Sequence, residues 1–103
     1  MTERYLEGKT ALVSGAGQGV GQGIALALAE RGAAVALLGR SLDKLETTRD
    51  LIQAAGGKAL AVAANVKSAD ELAAAVEASV SHFGGLNILV NNAQEVPLGN
   101  LLD

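Results

Sequence analysis

Short apolar runs alternate with longer amphipathic stretches along this chain. The run Thr10-Ala-Leu-Val-Ser14 predicts a strand that ends at a glycine cluster. Over residues 21–31, Ile24 and Leu28 share a helical face with the small Ala25 and Ala29, and Gly32 follows as a C-cap. Residues 34–38 (AVALL) predict a second strand, stopped by Gly39. Ser41 is placed to cap a helix reaching about Ala55, with Leu42, Leu45 and Ile52 inward and Arg49 and Asp50 outward. Residues 59–64 predict a weaker third strand, because Ala is a poor strand former. Ser68-Ala-Asp-Glu71 reads as a capping box, whose hydroxyl and carboxylate satisfy opposite orphan amides. The helix it opens should bury Leu72, Val76, Val80 and Phe83 as one stripe before Gly84-Gly85 ends it. A fourth strand is predicted over residues 87–91, and residues 92–103 read as a loop entering another helix.

Three strand–helix repeats followed by a strand predict an α/β fold, a Rossmann-like doubly wound parallel sheet of order 3-2-1-4. Ile88-Leu89-Val90 is apolar on both faces, the pattern of a strand covered on both sides. In that order it would instead be an unprotected edge, which natural proteins avoid. The 103 residues are therefore expected to form a single domain that is the front part of something longer.

Composition narrows the function classes. A chain of this length buries about 65% of its unfolded surface, enough for a core without staples. Half of the residues are hydrophobic and 18% charged, which excludes an intrinsically disordered chain. Without Cys there is no disulfide framework, thiolate metal site or cysteine nucleophile, and no residues are spaced to hold a metal. Tyr5 and Phe83 are the only aromatics and the net charge is -3, so nucleic acid is not an expected partner. No apolar run approaches the roughly 20 residues that span a bilayer. The first residues carry no apolar stretch of a secretory signal, so a cytoplasmic location away from membranes is expected.

Thirteen glycines stand against one proline, and seven of those glycines lie in the first 32 residues. The cluster Ser14-Gly-Ala-Gly-Gln-Gly-Val-Gly21 sits between the first strand and the first helix. Missing Cβ atoms let backbone amides approach an anion there, and the helix N-terminus adds favourable partial charge. In an open parallel sheet that place, beyond the carboxyl ends of the strands, is where ligands bind. A diphosphate cradle follows. It is not a P-loop, since Gly8-Lys9-Thr10 lacks the upstream glycine and precedes the strand. The strict Gly-x-Gly-x-x-Gly pattern fails as well, because its last position is Val20; Gly15-x-x-x-Gly19-x-Gly21 is what fits.

Ser14-Gly15-x-x-x-Gly19-x-Gly21 resembles the Thr-Gly-x-x-x-Gly-x-Gly cofactor motif of the short-chain dehydrogenase/reductase family. Asn91-Asn92-Ala93 resembles its Asn-Asn-Ala-Gly motif. Asn65-Val66 stands where the family has Asp-Val, and residues 85–90 are similar to its Gly-x-Leu-Asp-x-Leu-Val approach. The resemblance implies a nicotinamide cofactor, a seven-stranded full-length fold and homo-oligomeric assembly. It implies that Ser14, Gly15, Gln18, Gly19, Val20 and Gly21 surround the diphosphate and that Asn65 and Val66 border the adenine. Asn92 and Ala93 would pass beside the ribose next to the nicotinamide, with Asn91 tying strands together. Gln94 replaces a family glycine, which costs about 1–2 kcal/mol if that backbone needs positive φ.

At the end of the second strand, an NAD site places a carboxylate for the ribose hydroxyls, whereas Arg accommodates the extra phosphate of NADP. The carboxylate position here is Gly39, followed by Arg40 and Ser41. A guanidinium holds phosphate through two parallel hydrogen bonds, so NADP(H) is expected over NAD(H). The competing reading leaves Arg40 in solvent and gives the ribose to Asp43.

The family's Ser and supporting Asn are absent, and its Tyr-x-x-x-Lys pair is not found where the family has it: Tyr5 has Lys9 four residues on, but both precede the first strand. No catalytic residue is assigned in this chain, which alone is expected to be inactive. Its only His, His82, ends a helix with no second ligand or nucleophile spaced to it, and Asp43-Lys44-Leu45-Glu46 reads as a solvated helix face. The expected function is NADP(H)-dependent oxidoreduction of a small carbonyl or alcohol substrate, this chain supplying the cofactor-binding part. The rival is a non-catalytic dinucleotide-binding or assembly module ending near residue 103; a reading frame continuing into a Ser and a Tyr-x-x-x-Lys would separate the two.

Overall fold

A computed structural model describes residues 5–65 and 67–92. The elements run β1 (Thr10–Ser14), α1 (Gly19–Glu30), β2 (Ala34–Gly39), α2 (Leu42–Ala54), β3 (Lys58–Ala63), α3 (Ala69–Phe83) and β4 (Ile88–Val90). The four strands form one parallel sheet of order β3-β2-β1-β4. The chain steps outward from β1 to β3 and then returns to the far side of β1. That reversal opens a crevice at the carboxyl ends of β1 and β4, the place where such sheets take ligands.

Strand alternation divides the core. Val13, Val35 and Leu37 point to one face and pack with Ala25 and Ala29 of α1 and Leu45 and Ile52 of α2. Leu12, Ala36 and Leu38 point to the other, against Ala75 of α3. Alanine at three of the helix contacts lets α1 and α3 approach the strands closely. Gly32, Gly56 and Gly84, which follow the three helices, all adopt positive φ as helix-terminating glycines do.

Several expectations change. α1 begins at Gly19, two residues early, so the last glycines of the cluster belong to its first turn. Leu42 is exposed, and Thr48 joins Leu45 and Ile52 on the buried face of α2. In α3 the fully buried residues are Ala75 and Ser79. The expected stripe lies beside them: Leu72, Val76 and Phe83 are half-buried and Val80 is exposed. Leu72, Val76 and Phe83 still pack against the core, flanking the small pair that lies deepest because it permits the closest approach. Among the described residues β4 is an edge strand, and Leu89 is 64% exposed while its register partner Leu12 is fully buried.

The capping box forms halfway. Ser68 accepts the Glu71 amide (3.3 Å), but the Glu71 carboxylate accepts from the Asn65 amide (2.9 Å) instead of that of Ser68. Ser68 donates its own amide to the Asn65 carbonyl, so the turn before the helix had already provided for it.

Candidate cofactor site

The glycine turn leaves β1 at Ser14, whose side chain is buried. Its hydroxyl accepts the Asn92 amide (2.8 Å) and shares its proton between Asn91 Oδ1 (3.2 Å) and the Val90 carbonyl (3.4 Å). Ser14 and Asn91 thus tie the end of β1 to the end of β4. Asn87 ties the other end, accepting the Thr10 amide on Oδ1 (2.9 Å) and donating its own amide to the Thr10 carbonyl.

Gly15 and Gly19 have φ of 63° and 60°, a backbone that side chains rarely adopt. At Gly21 the requirement is space: a Cβ there would lie 2.0 Å from the Gly15 carbonyl oxygen. The Asn92 side chain fills the gap beneath both glycines, and its Nδ2 is buried with no hydrogen-bond partner among the described residues. The Ala16 amide donates to the Leu38 carbonyl (3.3 Å), whereas no described residue takes the amides of Gly17, Gln18, Gly19 or Val20. Gln18 occupies the N-cap position of α1 without capping it, and the first turn carries no acid. Four donors and an uncapped positive helix end are therefore left without a partner among the described residues. Val20, exposed beside them, adds an apolar surface.

Support for this turn comes from α2. Thr48, fully buried, donates to the Ala16 carbonyl (3.0 Å) and accepts from Gln22 Nε2 (3.1 Å). One turn earlier, Lys44 Nζ donates to Gln18 Oε1 (2.7 Å). These two rungs join α1 to α2. Sequence reasoning set Lys44 on a solvated helix face, where the structure puts it in the cleft, and passed over Thr48 and Gln22, since nothing in a single helix pattern says which residues of the next helix face a loop. The signal available was spacing: 18 and 22 on one helix, 44 and 48 on the other.

Between the rungs and the end of β2 lies a cleft of about 160 Å³, lined by Gly15, Gly17 and Gln18 on one side and by Arg40, Ser41 and Lys44 on the other. Its charged residues are both cations, and Asp43 is not among the lining residues. Ser41 holds the N-cap position of α2 and makes no side-chain cap bond, so its hydroxyl stays available. Arg40 also borders a second, more open cavity of about 370 Å³ with Ala63, Ala64, Asn65 and Glu71. Asn65 accepts the Lys67 amide on Oδ1 (3.0 Å), which turns its side chain at the rim. Val66, Ala93 and Gln94 lie outside the described residues. The other expected residues gather at one end of the sheet: the turn 15–21, Arg40, Ser41, Asn65 and Asn92.

This arrangement fits a dinucleotide: outward amides for a diphosphate, a cationic cleft at one flank and a half-open cavity beyond it for a planar base. The family model described as short chain dehydrogenase matches residues 9–100. The chain belongs to the short-chain dehydrogenase family. Its members are oxidoreductases. The human hydroxysteroid dehydrogenase-like protein 2 is 38% identical over 105 residues, covering 95% of this chain and 25% of that protein. Hydroxysteroid dehydrogenase from Escherichia coli superposes with a TM-score of 0.84 at 35% identity, covering 94% of this chain and 44% of that one. The L-sorbose reductase of Gluconobacter frateurii, complexed with NADPH and L-sorbose, gives 0.83 at 35% identity, over 89% of this chain and 35% of that one. The chain thus spans only a quarter to under a half of these short-chain dehydrogenases.

Proposed function

We propose that the chain is the cofactor-binding domain, over residues 1–103, of an NADP(H)-dependent oxidoreductase acting on a small carbonyl or alcohol substrate. The observation that carries the choice of cofactor is Arg40 at the end of β2, beside the glycine turn, in a cleft whose lining includes no carboxylate. The likeness to a reductase complexed with NADPH supports the same reading. Homo-oligomeric assembly belongs to it by resemblance to the family, and a cytoplasmic location is part of the same proposal.

When bound, the nicotinamide supplies or takes the hydride. The residues of this chain bind and orient. The amides of Gly17 to Val20 meet the diphosphate in place of water, and the end of α1 favours its charge. Arg40 and Ser41 face the adenosine ribose and its phosphate. Asn65, with Val66, borders the adenine, and its Oδ1 retains a lone pair beyond the one given to the Lys67 amide. Asn92, with Ala93, leads toward the nicotinamide ribose. The proton that accompanies hydride transfer is assigned to groups outside this chain.

Titration with NADPH and NADH, followed by nicotinamide fluorescence, tests the reading. NADPH should bind about tenfold or more tightly, the scale of a charge-assisted hydrogen-bonded pair. Arg40→Asp should reverse the order. An unchanged preference in that variant removes Arg40 from this role, and no binding of either dinucleotide to the wild-type protein removes the proposal.

A further inference from the structure

We propose that Lys44 is a second specificity-determining cation of the cleft, held by Gln18 and directed at the same ribose phosphate as Arg40. The inference rests on the cofactor reading above and extends it to a residue on another element. Lys44 stands in the first turn of α2 and reaches across the cleft to the N-cap residue of α1. Its stem is held close to the turn, since a Cβ on Gly17 would lie 2.9 Å from the Lys44 Cβ. One helical turn on, Thr48 is locked to Ala16 and Gln22, which sets the rotation of α2 and so the side on which Lys44 emerges.

The partner of the ammonium is neutral. Gln18 orients Lys44 without cancelling its charge, and an ammonium keeps two further donors after that bond. No ion pair among the described residues involves Lys44 or Arg40; the nearby Glu46 pairs with Arg49 (3.8 Å). Two cations that form no ion pair among the described residues therefore share one small cleft. A neutral ribose diol gains little from the second, whereas a phosphate monoester, carrying close to two negative charges at neutral pH, gains from both. The two differ in kind: guanidinium offers a planar fork and ammonium a compact point charge, so they can take different oxygens of one phosphate. Lys44 thus sharpens discrimination between phosphorylated and unphosphorylated ribose rather than raising affinity for both.

The test uses two probes without nicotinamide, 2′-phospho-ADP-ribose and ADP-ribose, titrated calorimetrically into the wild type, Lys44→Met and Lys44→Arg. Lys44→Met should weaken the phosphorylated probe about tenfold while leaving ADP-ribose within about twofold, and Lys44→Arg should recover most of the loss. An equal loss for both probes, or for neither, overturns the role of Lys44. A wild type that does not prefer the phosphorylated probe instead overturns the cofactor reading on which it rests. Should Lys44→Met fail to fold, wild-type protein with 13C-methylated lysines gives the answer. The Lys44 signal should shift with 2′-phospho-ADP-ribose and not with ADP-ribose, and a signal indifferent to both rejects the proposal.

Discussion

At the residue scale, the crevice depends on atoms that are missing. Gly21 and Gly23 stand two apart in α1 and make opposite predictions. A methyl at Gly21 would press on the Gly15 carbonyl, so Gly21→Ala should destabilise the protein by about 1–3 kcal/mol in urea denaturation. A methyl at Gly23 meets nothing within 4 Å, so Gly23→Ala should stabilise by about 0.5–1 kcal/mol through helix propensity. Thr48→Val keeps the volume but leaves the Ala16 carbonyl and Gln22 without their common partner, which should cost about 1–2 kcal/mol by the same measurement. The spacing of Gly15, Gly19 and Gly21 was legible because a missing Cβ is itself a letter of the sequence. Thr48 was not, since its role depends on which neighbour the fold brings to it.

At the element scale, the seven elements emerge from periodicity alone, and the differences gather where two elements meet. The stripe of α3 was read from its largest residues, three of which do pack on the core, whereas the deepest positions go to its smallest, Ala75 and Ser79. Ser41 and Ser68 look alike as N-cap residues, yet only Ser68 bonds an amide of its helix. Ser68→Ala should therefore cost about 1 kcal/mol in thermal denaturation, and Ser41→Ala close to nothing. The Glu71 carboxylate accepts the Asn65 amide at the rim of the cavity that Arg40 and Asn65 border. Glu71→Ala should accordingly weaken binding of an adenine dinucleotide about threefold to tenfold, the scale of one lost hydrogen bond, in the same fluorescence titration.

At the scale of the whole molecule, parallel pairing and the order 3-2-1-4 follow from the alternation of strands and helices, and the clustering of site residues at one sheet end follows from that order. What a linear pattern cannot convey is how unequally the two faces of an edge strand are covered. Leu12 and Leu89 are register neighbours with the same side chain. Leu12→Ala should cost about 2–5 kcal/mol, the range for a buried leucine, whereas Leu89→Ala, at 64% exposure, should cost less than about 1 kcal/mol in parallel urea titrations.

The link from Ser14 to Asn91 and Asn92 spans more than 75 residues of sequence. During synthesis the glycine loop leaves the ribosome long before its supporting asparagine exists. A nascent chain arrested at residue 86 would carry every amide of the cradle with nothing beneath Gly15, so nucleotide retention should begin abruptly, only when β4 slots in.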